Sequence, residues 1–264
     1  MSPTLRLLGL AAVLLCTLAL GRAGAAEIKV LSAGAMRSVM EALLPRFQKE
    51  TGHHVAVTYG TAGEVERRLK EQEAVDVAIA TKPRIQTLEG AGTIIAGSVG
   101  VIGRSPIALA VRQGAAKPDI GSVDAFKRAL LAAKSVAYTD PASGGTSGIH
   151  IATVLRRLGI AEQLQPRTKL VTGRSGAPPA VGEAVAHGEA ELGMQPISEL
   201  IGIPGIEIVG LIPAELQTPD LTYAAGLATA AKDRQAGMAL IGFLIGPASA
   251  EIVKSKGLIS GDGP

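Results

Sequence analysis

Residues 27–81 read EIKVLSAGAMRSVMEALLPRFQKETGHHVAVTYGTAGEVERRLKEQEAVDVAIAT, and the spacing of their apolar positions alternates between two periods. Ile28 and Val30 alternate, whereas Met36, Met40, Leu43 and Phe47 recur at helical spacing. Val55, Val57 and Tyr59 alternate again, Val65 and Leu69 return to helical spacing, and Val75, Val77 and Ile79 alternate a third time. A period of two lines one face of a strand and a period near 3.6 lines one face of a helix, so the stretch predicts strand, helix, strand, helix, strand. These βαβ units make the fold α/β, with a mostly parallel sheet flanked by helices and right-handed crossovers. Ligands of such sheets bind at the carboxyl ends of the strands.

The same alternation restarts downstream. Strands are expected at 107–111, 135–138, 169–172 and 190–194, with helices at 123–133, 146–158 and 178–187. A further strand at 221–229 precedes helices at 234–245 and 247–256, the last opened by Pro247 in its first turn. With no fixed-period repeat or long Gly/Ser linker, two closely packed lobes with a cleft between them suit the chain.

Upstream, residues 3–26 read PTLRLLGLAAVLLCTLALGRAGAA, with Arg6, an apolar run from Leu7 to Leu20 and small residues at Ala23, Gly24 and Ala25. This is the pattern of a signal peptide, residues 1–25, cleaved near Ala25, and it implies the periplasm. The run of about 14 residues is shorter than the roughly 18 to 20 that a membrane span needs. Cleavage would remove Cys16, the one cysteine, so neither a disulfide framework nor a thiolate metal cluster is expected.

Composition narrows the partners. The 264 residues are 47% apolar, enough for a sizeable core, and 26 basic against 23 acidic residues leave a net +3, too little and too dispersed for nucleic-acid binding. No Trp, three Tyr and three Phe offer little stacking surface, which favours a small polar ligand. His53 and His54 are adjacent and would point to opposite faces of a strand, while His150 and His187 stand alone, so no metal site is expected. Nothing implies a cofactor, and a monomer is expected.

Three Gly/Ser/Thr clusters fall between a predicted strand and a predicted helix. They are Ser32-Ala33-Gly34-Ala35-Met36, Gly60-Thr61-Ala62-Gly63 and Ser143-Gly144-Gly145-Thr146-Ser147-Gly148. Free backbone N–H groups and the positive end of the helix dipole make such turns anion sites, and small side chains let the anion approach. The third cluster has no Lys followed by Ser or Thr, so a nucleotide-binding phosphate loop is excluded. Arg37, one residue into the first helix, could clamp a carboxylate, and Arg84 and Arg174 lie in loops at carboxyl ends of predicted strands. His150, one turn beyond Thr146, is a candidate base.

Several segments together resemble the periplasmic solute-binding proteins of the molybdate-binding type, the two-lobed class II proteins that serve ABC importers. They are 28–69, VDVAIAT at 75–81, DPASGGTSGIHIATVLRRLG at 140–159, GEAELGMQPISEL at 188–200 and FLIGPASAEIVKSKGL at 243–258. The resemblance implies one lobe of 27–105 with 225–264 and another of 106–224, closing on a small anionic ligand. It also implies a possible ABC permease as partner. The family's oxyanion-binding positions fall on Ala35, Ala62, Ser147, Pro178 and Pro196. Molybdate binders have serines in the first two turns and a tyrosine at the last position, whereas this chain has Ala35, Ala62 and Pro196. A desolvated tetrahedral oxyanion would miss those hydrogen bonds, each worth about 1 to 3 kcal/mol. Thr61 and Thr146 could replace part of the set.

The expected ligand is therefore an organic di- or tricarboxylate, captured for an importer. The alternative is that of the molybdate-binder-like aconitate isomerases, which interconvert trans- and cis-aconitate by a cofactor-free allylic proton shift. That reaction needs a proton carrier, for which His150 and Tyr59 are the candidates, and positive charge from Arg37, Arg84 or Arg174.

Overall fold

The computed structural model describes residues 25–173 and 180–259. The expected export segment up to residue 24 and residues 174–179, with Arg174 and Pro178, lie outside the described residues. The first β-α-β unit forms where its periodicity places it. Strand β1 (Glu27–Ala33) buries Ile28, Val30 and Leu31, and helix α1 (Arg37–Thr51) buries Val39, Met40, Leu43, Leu44 and Phe47. Gly52 ends α1 in the left-handed conformation, φ 75°, and donates its N–H to Gln48 O at 2.9 Å, a closure that favours a residue without Cβ. Strand β2 (His54–Gly60) leads into α2 (Ala62–Lys70), whose N-cap Thr61 accepts from Glu64 N at 3.0 Å. Strand β3 (Val77–Thr81) is buried throughout, as expected for a central strand covered on both faces.

The region after β3, where the periodicity predicts no element, holds α3 (Lys82–Gly90) and β4 (Gly100–Arg104). Arg84 thus stands in the first turn of a helix, not in a loop; Pro83 was the signal for that helix start. From β4 the chain crosses at Ser105-Pro106 into β5 (Ile107–Arg112) of a second sheet. There follow α4 (Val123–Ala132), β6 (Val136–Thr139), α5 (Thr146–Arg157), the short α6 (Ala161–Leu164), β7 (Thr168–Val171) and α7 (Val181–Ala186). Strand β8 (Leu192–Pro196), α8 (Ile197–Leu200) and β9 (Ile206–Leu211) complete this part. The chain then returns through β10 (Thr222–Leu227) to the first sheet and ends in α9 (Arg234–Ile245) and α10 (Pro247–Ser255).

The two sheets have strand orders β2-β1-β3-β10-β4 and β7-β6-β8-β5-β9. Within each, the βαβ strands run parallel, as the pattern predicts, but β10 is antiparallel to β3 and β4, and β5 is antiparallel to β8 and β9. The sheets are therefore mixed. The strands that break the parallel order are the two reached by crossing from the other sheet, and periodicity carries no strand direction. Strand β10 joins the first sheet from Thr222, ahead of the expected lobe boundary at 225. The edge strand β9 escaped sequence reading because it is half-buried along its length and does not alternate.

The crossing region is knit by side chains. Ser105 Oγ donates to Ser198 Oγ at 2.8 Å, and the Gln217 amide donates to Ile107 O at 2.8 Å while its Oε1 accepts from Ile107 N at 2.9 Å. Among the described residues, no single helix is long and apolar enough to cross a membrane.

Candidate anion site between the lobes

The lobes touch along their facing turns. Gly63 N donates to Gly144 O at 3.1 Å, Thr61 Oγ1 donates to Ser143 O at 2.6 Å, and Ser38 Oγ donates to Ser198 O at 3.0 Å. A Cβ on Gly63 would lie 2.7 Å from Gly144 O and 2.9 Å from Gly144 Cα, so the approach of the two backbones requires glycine. Two cavities lie in the cleft.

The smaller, about 20 Å³, is lined by Gly34 and Ala35, by Thr61 and Ala62, and by Thr146 and Ser147. The three turns singled out in the sequence thus converge on one point, although they lie on three strand ends in two sheets. Hydroxyl supply there is poorer than the sequence suggested. Thr61 is not available to a ligand, because its hydroxyl donates across the cleft and accepts the α2 cap bond. Thr146 Oγ1 is buried without a hydrogen-bond partner and is the free hydroxyl of the pair.

The larger cavity, about 640 Å³, lies between α1 of one lobe and β7, α7 and α8 of the other, and Gly34 and Glu199 line both cavities. Arg37 enters it from the start of α1. Its guanidinium stacks 4.6 Å above the Tyr59 ring, yet its Nε is buried and has no hydrogen-bond partner. A buried guanidinium N–H left unsatisfied costs free energy that an incoming carboxylate would recover.

Glu199 was missed in the sequence reading, because nothing in GMQPISEL distinguishes it from an ordinary helical Glu. It sits on α8 with its carboxyl pushed up to about 8, chiefly by burial, against a hydrogen bond from Gln195 and the positive charge of Arg37. It therefore holds its proton at neutral pH. Tyr223 lines the small cavity and its phenol is raised well above the ordinary value by burial and by the nearby Glu199.

Other expected residues stand elsewhere. Met36 is fully buried in the core, and Pro196 ends β8 outside both cavity walls. Ser143 Oγ is taken by Asp140 O at 2.7 Å. Arg84 is paired with Glu66 and reaches Gly144 O at 3.3 Å, so it braces the lobe contact and does not line either cavity. Burial opposes ionisation of Glu66, but hydrogen bonds from Lys70 and Arg84 keep its carboxyl below the ordinary value. His150 Nε2 is hydrogen-bonded to Leu216 O at 2.7 Å, away from the cleft. The Tyr59 phenol, buried beneath Arg37, is pushed up to about 12, chiefly by burial. Among the described residues, no three His, Cys, Asp or Glu side chains group as metal ligands.

A two-lobed chain with an anion-ready cleft invites comparison with known binding proteins. The model of the bacterial extracellular solute-binding proteins matches residues 28–259. The chain belongs to this family. It is 34% identical to an aconitate isomerase from a Pseudomonas species, over 98% of this chain and 97% of that protein. It is also 30% identical to the molybdate-binding protein ModA of Azotobacter vinelandii, over 89% of this chain and 90% of that protein. The solved periplasmic molybdate-binding protein of Azotobacter vinelandii superposes with a TM-score of 0.72 at 21% identity, covering 88% of this chain and 98% of that one. A putative molybdenum transporter's substrate-binding domain from Clostridium difficile gives 0.66 at 16% identity, covering 89% and 99%. These likenesses show the two-lobed periplasmic-binding-protein fold.

Proposed function

We propose that the chain is a periplasmic isomerase of an unsaturated tricarboxylate, interconverting trans- and cis-aconitate within its interlobe cleft. The observation that carries this reading is Arg37, which lines the larger cavity and whose buried Nε has no hydrogen-bond partner, beside strand-to-helix turns that carry Ala35 and Ala62. A tetrahedral oxyanion finds too few hydroxyls there, whereas a planar carboxylate matches a guanidinium and a set of backbone donors. The larger cavity leaves room for the remainder of a six-carbon acid. The likeness to an aconitate isomerase along nearly the whole chain supports the same choice.

The reaction moves a C=C bond within the acid. A proton leaves the methylene carbon, negative charge spreads over the allylic system into an adjoining carboxylate, and a proton returns at the far carbon. Arg37 suits the middle stage, because a fixed cation in a water-poor cleft offsets the charge that develops. No cofactor is needed for this balance.

A second reading, capture of an organic di- or tricarboxylate for an ABC permease, draws support from the direct backbone contact of Gly63 with Gly144, which suits lobes that close on a ligand. Both readings place the mature chain in the periplasm as a monomer, with Gly34, Ala35, Arg37, Ala62, Thr146 and Ser147 around the ligand. Mixing the purified mature protein with trans-aconitate, and separately with cis-aconitate, and following the proton NMR spectrum separates them. Catalytic appearance of the other isomer supports the isomerase. A thermal shift with unchanged spectra supports the receptor, and a shift with molybdate alone overturns both.

A further inference from the structure

We propose that Glu199 is the group that carries the proton in this cleft, taking it from one carbon of the substrate and returning it at the other. The inference rests on the isomerase reading above and adds the residue that performs its central step.

Position singles Glu199 out. Of the side chains that bear a proton in the larger cavity, Glu41, Lys169, Glu183, His187 and Glu189 are exposed and exchange freely with bulk water. Glu199 alone among them also lines the small cavity where the three anion-ready turns meet. It therefore stands between the place where a carboxylate would be held and the room where the remainder of the acid would lie. Arg37 of α1 lines the larger cavity with it, Tyr223 of β10 lines the small one with it, and Gln195 hydrogen-bonds it from β8. No ion pair among the described residues ties up its carboxyl. The two carriers suggested by the sequence are less suited: His150 is bonded to Leu216 O away from the cleft, and Tyr59 lies beneath Arg37.

The step balances without any further reactant. The Glu199 carboxylate removes a proton from the substrate methylene, forming O–H as C–H breaks, and the freed electron pair becomes the new C=C bond. The electron pair of the old C=C bond then takes the proton from the Glu199 carboxylic acid at the far carbon, which restores the carboxylate. One residue can serve both ends because the two carbons flank the same central carbon. The raised affinity of this carboxyl for its proton makes its ionised form a stronger base than an exposed Glu, at the expense of a smaller ionised fraction at neutral pH.

The test uses the mature protein and its Glu199→Gln and Glu199→Asp variants, with aconitate turnover read by NMR and with tricarballylate, the saturated analogue, as the binding probe in calorimetry. Glu199→Gln is expected to lower kcat by about 10³-fold while the tricarballylate Kd changes by less than about threefold. Glu199→Asp should recover part of the activity. In the unaltered protein kcat/KM should rise with pH and level off above about 8, the behaviour of a base with that affinity for its proton. Reaction in D₂O should leave part of the substrate's own hydrogen in the product, since a shielded carrier returns some of what it took. Turnover by Glu199→Gln within tenfold of the unaltered protein would overturn the proton-carrying role alone, as would loss of tricarballylate binding in that variant, which would make Glu199 a binding group. A pH profile with no rise below 8 would overturn it without recourse to any variant. Absence of turnover by the unaltered protein would overturn the isomerase reading itself, and the role with it.

Discussion

Replacing Glu199 by Gln should make the protein more stable, and more so as the pH rises. In the unfolded chain this carboxyl titrates near its ordinary value of 4.5, and in the folded chain at about 8. Between those values the folded state keeps a proton that the unfolded state has released, so stability falls as the pH increases, with the whole penalty present above 8. At 1.36 kcal/mol per pH unit, the ceiling of that penalty is about 5 kcal/mol. The residue retains some exposure to the cavity, so the realised penalty is roughly half, about 2 to 3 kcal/mol. Glutamine fills the same volume and titrates in neither state. Urea unfolding at intervals from pH 5 to pH 9 should show the stability gap between variant and unaltered protein widening by about 2 to 3 kcal/mol. Other titrating groups are common to both proteins and cancel. A gap that stays constant within about 0.5 kcal/mol across that range would refute the reasoning, because it would mean that the site does not desolvate the carboxyl.

Two further outcomes follow from the cleft. Arg37→Gln should weaken tricarballylate binding by about 10- to 100-fold in calorimetry, the loss of one or two charge-assisted hydrogen bonds, while unfolding stability falls by no more than about 1 kcal/mol through loss of the stacking on Tyr59. An unchanged Kd would place the ligand elsewhere. Gly63→Ala should hold the lobes apart, because the added Cβ would meet Gly144 O at 2.7 Å and the backbone there cannot yield as a side chain would. Small-angle scattering should then show less compaction on adding tricarballylate, with at least about tenfold weaker binding, and unfolding stability should fall by about 1 to 2 kcal/mol as the Gly63 N–H and Thr61 hydroxyl lose their partners in the other lobe. Full compaction would refute the assignment of this contact to closure.

The expectation that His150 or Tyr59 carries the proton illustrates a limit of reading a chain in one dimension. His150 lies one turn beyond Thr146, which does line the small cavity, but its ring turns to Leu216, a residue that sequence spacing does not connect to it. Arg84 likewise stands in the first helical turn after β3 and not in the expected loop, and Glu66 claims its charge. Side-chain direction within a helical turn, and the partner waiting there, are decided by packing.

The sequence by itself determined what is local. Alternating and helical periods in 27–81 dictated the βαβ units, since burying one face of a strand or helix requires that spacing. Gly, Ser and Thr fall at the strand-to-helix turns, where an anion site is expected, and the resemblance to molybdate binders implies missing hydroxyls at Ala35 and Ala62. What only the tertiary structure decided is everything that joins distant segments. The crossing strands β5 and β10 run against their neighbours, because a chain entering a sheet from the other lobe arrives in a direction that periodicity does not encode. The three turns meet at one cavity because two sheets bring their strand ends together. Glu199 is an ordinary helical glutamate in the sequence and becomes a proton-holding acid only where burial outweighs the opposing effects of Gln195 and Arg37, for a pKa belongs to an environment and not to a residue.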